Sequence, residues 1–164
     1  MKSYNFTAAI LILLITPTIA VSYDEPTYAV DKVMNAFHKA ASDSDYQAYF
    51  SKFSPNAYFL GTDASERWSL EEFKAYAQPV FDAGRGWHYE VVERNVQING
   101  HVAWFDEQLN NRHLGRCRGT AILIQTDNGW KVAHHNLTLL VPNEIADKVA
   151  AESLAIMGLN GRMR

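Results

Sequence analysis

The stretch GWHYEVVERNVQINGHVAWFDEQLNNRHLGRCRGTAILIQTDNGWKVAHHNLTLLV, residues 86–141, decides the fold. It reads as four consecutive β-strands over roughly 87–98, 101–109, 115–126 and 130–141. Two of the joints are Asn99-Gly100 and Asp127-Asn128-Gly129, and such pairs favour the backbone of tight hairpin turns. Strands this long must twist and curl.

Upstream lie helices. Residues 26–41 set Val30, Val33, Met34, Phe37, Ala40 and Ala41 on one stripe, with Pro26 suited to the first turn. The pattern predicts a second, short helix over 44–53 that turns Tyr46, Tyr49, Phe50 and Phe53 inward, broken by Ser54-Pro55-Asn56. A short strand follows over 57–60, ended by Gly61. Ser69-Leu70-Glu71-Glu72 is a capping-box pattern for a third helix carrying Phe73, Tyr76, Ala77, Val80 and Phe81 at helical spacing. Pro79 is placed to kink it, and Ala83 to Gly86 stop it. A terminal helix begins at Pro142-Asn143. Helices first and strands afterwards predict an α+β fold: a cone-shaped, strongly curved, mostly antiparallel sheet wrapped around three N-terminal helices, plus a C-terminal helix. The open end of such a cone is a natural small-molecule cavity.

The N-terminus carries Lys2, an apolar run over 8–15 and small residues up to Ala20. This is the pattern of a secretory signal peptide occupying 1–22, and it predicts a periplasmic or secreted protein with one domain over 23–164. The alternative is a retained anchor, for which the apolar run is short. Without the segment, 14 basic residues stand against 18 acidic ones. No basic stripe is present, which argues against nucleic acid or a membrane surface as partner. Cys117 is the single cysteine. It excludes an internal disulfide and reads as a small buried apolar residue.

Residues 57–63 (AYFLGTD) and 68–73 (WSLEEF), together with Val102–Glu107, Arg118-Gly119-Thr120 and Gly129–His134, resemble the SnoaL-like branch of the nuclear transport factor 2-like superfamily. The resemblance implies an open cone with a pocket and frequent homodimerisation through the sheet. It leaves activity open, because that superfamily hosts isomerases, dehydratases, hydrolases, polyketide cyclases and non-catalytic binders.

Adjacent strand residues point to opposite faces, so only one of His134 and His135 faces the cone. Lys131 is a poor interior residue, which predicts His134 and Asn136 inside. With Trp104 as a pocket wall, Asp106 joins it inside and Glu107 turns out to a surface pair. Asp106 and His134 are therefore the candidate acid/base residues, and Tyr58, Trp68, Trp104, Arg118 and Asn136 the candidate ligand-binding ones. A competing reading makes Asp106 an ion-pair partner of Arg116 or Arg118, and His134 a satisfied histidine at the lip.

Arg118 depends on the last turn. A two-residue loop puts Leu123 opposite His134 and sends Arg118 outward. A glycine-bulge turn puts Ile122 opposite His134 and Arg118 opposite Thr138, toward the pocket. We favour the bulge.

No metal, nucleophile-elbow, P-loop or dinucleotide motif is present, so neither metal nor cofactor is expected. The sequence supports a binder of a small apolar or amphipathic molecule. The alternative is a cofactor-independent isomerase, cyclase, dehydratase or hydrolase. Apolar residues at both parities of the last strands predict a homodimer, unless the terminal helix covers the second face.

Overall fold

The computed structural model describes residues 25–158, so the expected signal segment over 1–22 lies outside the described residues. Helix α1 (Glu25–Ser42) leads into a short α2 (Tyr46–Phe50), strands β1 (Phe53–Leu60) and β2 (Arg67–Ser69), and helix α3 (Leu70–Asp82). Strands β3 (Glu90–Asn99), β4 (Val102–Asn111), β5 (Gly115–Thr126) and β6 (Gly129–Leu139) form the meander, and a 3-10 turn precedes α4 (Ala146–Ile156). The six strands make one sheet in the order β2-β1-β6-β5-β4-β3, antiparallel except where β1 lies parallel to β6. Among the described residues no helix is long and apolar enough to cross a membrane.

The α+β cone is as the sequence predicts, with local differences. The second helix is shorter than expected because Phe53 already belongs to β1. Pro55 does not end an element there. It sits inside β1, between the paired positions Phe53 and Tyr58, where a missing backbone N–H removes no ladder bond. Ser69 caps α3, accepting from the Glu72 backbone while the Glu72 side chain accepts from the Ser69 backbone. Gly84 closes that helix in the left-handed region at φ 64°.

The core fills the concave side. Met34, Phe37, Tyr49, Phe73 and Phe81 from the helices meet Ala103, Phe105, Ala121, Leu123 and Val132 from the sheet. No residue of α4 is buried, so the terminal helix does not cover the outer face of the sheet.

Sheet parity is where the sequence reading needs correction. On β4 the inward residues are Ala103, Phe105, Glu107 and Leu109, and on β5 they are Cys117, Gly119, Ala121 and Leu123. Small residues line the interior because helices bring the large rings to it, and Trp104 and Ile122 are left outside. Strand β6 adds a reversal. Near the turn, Thr126 pairs with Gly129 and Leu123 with Val132, but beyond a shift Ile122 pairs with His134 and Arg118 with Thr138. The extra residue is Ala133, within the strand rather than at the turn. Trp130 and Val132 therefore face inward, and so do His135 and Leu137.

Candidate functional site

A cavity of about 180 Å³ opens inside the cone. Helix α1 contributes Phe37 and His38, β1 contributes Phe59, β2 Trp68, α3 Phe73 and Tyr76, and β6 His135 and Leu137. Trp87 and Tyr89, just before β3, and Leu114 in the β4–β5 turn complete the wall, with Glu66 beside them. The rings are nearly parallel: Phe59 to Phe73 at 11°, Trp68 to Phe73 at 13° and Phe73 to Trp87 at 17°.

His135 is only 3 % exposed, yet neither ring nitrogen has a hydrogen-bond partner among the described residues. Its imidazole is stacked between Phe59 (5.1 Å, 6°) and Phe37 (5.4 Å, 30°). Burial, opposed by the Glu107 charge, pulls its pKa down to about 4. It is neutral at pH 7, with one donor and one acceptor nitrogen. An unsatisfied buried polar group costs roughly 1–3 kcal/mol.

Behind the cavity wall lies a buried charge network. Glu107 is fully buried. Its Oε1 is 2.7 Å from His38 Nε2, and its Oε2 accepts from Arg94 Nε at 2.9 Å and from Arg94 Nη2 at 2.7 Å. Arg94 also donates to Asp31 Oδ1 at 3.1 Å and Asn35 Oδ1 at 3.0 Å, which ties β3 and β4 to α1. Burial pushes the Glu107 carboxyl up, but the His38 hydrogen bond and the charges of His38 and Arg94 outweigh it and hold the pKa at about 2. Gly119, directly opposite Glu107, leaves the room its carboxylate needs.

Of the seven candidate acid/base and ligand-binding residues, only Trp68 lines the cavity, beside Phe73 and Trp87, two further aromatics expected in its wall. Asp106, Trp104 and His134 share the outer face, in a shallow groove with Gln97, Thr120 and Ile122. Trp104 is 43 % exposed. Tyr58, opposite His134 on β1, lies on that face too, beneath the Arg67 guanidinium at 4.2 Å. Asn136 donates to Thr138 Oγ1 along its own strand, and Arg118 is exposed. The register that was to bring Arg118 to the pocket is present, but the parity of β5 turns it outward. Among the described residues Asp106 makes no salt bridge with Arg116 or Arg118.

In each adjacent pair the structure turns the other member inward, His135 rather than His134 and Glu107 rather than Asp106. Two signals in the sequence pointed there. Glu107 shares the parity of Ala103 and Phe105 and faces Gly119, and His38 follows Met34 at one-turn spacing on the α1 stripe.

Residues 30–142 match the family model for the SnoaL-like domain. No curated protein matches the chain significantly. Crystal structures with the same fold include a candidate dehydratase of the NTF2-like family from Streptomyces avermitilis, 15 % identical, TM-score 0.65, covering 73 % of this chain and 99 % of that one. A ketosteroid isomerase-like protein from Erwinia carotovora atroseptica is 17 % identical, TM-score 0.57, covering 73 % and 100 %. A candidate aromatic ring hydroxylase from Novosphingobium aromaticivorans is 19 % identical, TM-score 0.59, covering 72 % and 91 %. At such identities the likeness fixes the fold alone.

Proposed function

The chain belongs to the SnoaL-like family of the NTF2-like superfamily, and from that footing we propose that it is exported and binds a small, largely apolar molecule inside its cone. The observation that carries this reading is the aromatic cavity ending on His135, a buried side chain with both polar atoms unpartnered. A purely structural core would satisfy or omit such a group. Native mass spectrometry of the purified protein, with a ligand screen by thermal shift, tests it. A co-purified or screened small molecule whose binding is lost on Trp68→Ala supports the reading. A protein that binds nothing in the screen, and whose stability no small apolar compound changes, overturns it. N-terminal sequencing of the protein from cell fractions tests export, with cleavage at Ala20 or Ser22 expected.

One observation favours a second reading. His38 is paired to a carboxylate that Arg94 holds in place, an arrangement that orients an imidazole for proton transfer. Under that reading the protein is a cofactor-independent acid/base enzyme with His38 in the role expected of His134. Loss of turnover with retained binding in His38→Gln would favour it.

The outer sheet face, with Tyr58, Val102, Trp104 and Ile122 exposed and uncovered by α4, is in this reading the surface that joins two copies. Asp106, Arg118 and His134 on the same face supply charges of both signs, as a self-complementary two-fold contact needs.

A further inference from the structure

Resting on the ligand-binding reading above, we propose that the cone takes a flat, uncharged single ring bearing a hydroxyl, and that this hydroxyl seats on the edge of His135. Size limits the ligand first. A cavity of about 180 Å³ is close to the ~150 Å³ of an apolar cavity that accommodates benzene, so one substituted ring fits and a fused polycycle does not.

Shape comes next. The rings of His135 and Phe59 are parallel to within 6°, and Phe73, Trp68 and Trp87 continue the stack. Stacked on one another in this way they form one continuous apolar wall, and the guest lies beside the stack rather than between its rings. The same stacking argues against a quaternary ammonium group. Such a cation needs open ring faces around it, and here Phe59 lies on Phe73 at 4.0 Å and Trp68 on Tyr76 at 4.6 Å.

Charge and hydrogen bonding define the head group. Among the described residues no lysine or arginine lines the cavity, while Glu66 does, and Arg94 behind it is engaged by Glu107 and Asp31. A carboxylate guest would meet acidic groups with no free cation to offset them. His135 offers one donor and one acceptor, with no competing partner of its own. A hydroxyl also donates and accepts, so it can use either tautomer of the ring. The low pKa of His135 keeps that ring neutral at pH 7 and agrees with an uncharged guest.

Titration of the purified full-length protein with phenol, toluene, benzoate and benzyltrimethylammonium, followed by ligand-observed NMR, tests the assignment. Phenol is expected to bind about tenfold more tightly than toluene, the worth of one net hydrogen bond, and benzoate and the ammonium compound more weakly than either. In His135→Phe, which keeps a ring between Phe37 and Phe59, the phenol preference should fall to within about twofold while toluene binding persists. Should that variant not fold, the ring 15N signals of His135 in the wild-type protein serve instead, and phenol must shift them where toluene does not. Equal binding of phenol and toluene by the wild-type protein, or preference for either ion, overturns the hydroxyl assignment alone. Failure of toluene and phenol both to bind overturns the ligand-binding reading beneath it.

Discussion

Gly119 lies directly across the β4–β5 ladder from Glu107, and a Cβ at Gly119 would stand 2.8 Å from Glu107 Oε1 and 3.0 Å from its Cγ. The absent side chain is the space in which a buried carboxylate is held between His38 and Arg94. Gly119→Ala should therefore displace the carboxylate from both partners, at a cost of roughly 1–3 kcal/mol. Urea unfolding checks this. An unchanged midpoint would show that the network tolerates the shift.

Removing Glu107 itself should cost more. Glu107→Ala leaves Arg94, 5 % exposed, with the more exposed Asp31 as its remaining counter-charge, and breaking a buried pair from one side costs about 3–5 kcal/mol. Because Arg94 and Glu107 share one network, Arg94→Met combined with Glu107→Leu should be less destabilising than the sum of the single changes. A double-mutant cycle measures the difference, and strict additivity would count against the pair.

Acidification should unfold the protein in two stages. His135 falls from an ordinary 6.5 to about 4 in the folded chain. Between those values the unfolded chain binds a proton that the folded one refuses, and stability drops as pH falls. Glu107, lowered from 4.5 to about 2, contributes fully above its unfolded value and loses that contribution as pH falls from 4.5 toward 2. Each stage amounts to about 3 kcal/mol at most. Denaturant midpoints measured from pH 8 to 3 should be flat at first and then fall, and His135→Phe should abolish the upper stage.

Disruption of the outer face should separate subunits without unfolding them. Trp104→Glu places a charge at the centre of the exposed apolar patch, where the proposed two-fold contact would desolvate it. Sedimentation velocity is expected to show a dimer for the wild-type protein and a monomer for the variant, both with the same far-UV circular dichroism. A wild-type monomer at micromolar concentration would end the proposal.

The fold was legible because its signals are local: a helical stripe over 26–41, the Ser69–Glu72 cap, and turns at Gly100 and Gly129. The family resemblance rested on the same segments. The site was not, because facing on a strand is decided by what packs against it. Trp104 and Ile122 have the size of interior residues, yet the helices fill the cone with their own rings, Ala103, Gly119 and Ala121 make room for them, and the two large residues turn outward. Lys131 marks the outward parity for the first half of β6 but not beyond Ala133, since a bulge has no signature in the alternation itself. Trp68 does line the cavity, because β2 sets it beside the capped start of α3.

The bulge at Ala133 also bears on how the chain reaches its native state. A straight β5–β6 hairpin, continuing the pairing seen near Gly129, would bury His134 and Asn136 in place of His135 and Leu137. That exchange swaps one imidazole for another and removes one leucine from the interior, so the alternation of β6 by itself does little to separate the two registers. Strand β1 distinguishes them, since it meets β6 through Phe59 and His135, a contact between segments far apart in sequence and so slow to form. A charge at position 136, as in Asn136→Asp, makes the straight hairpin costlier to bury and leaves the native register in place, so any slow refolding phase caused by mispairing is expected to shorten in stopped-flow fluorescence.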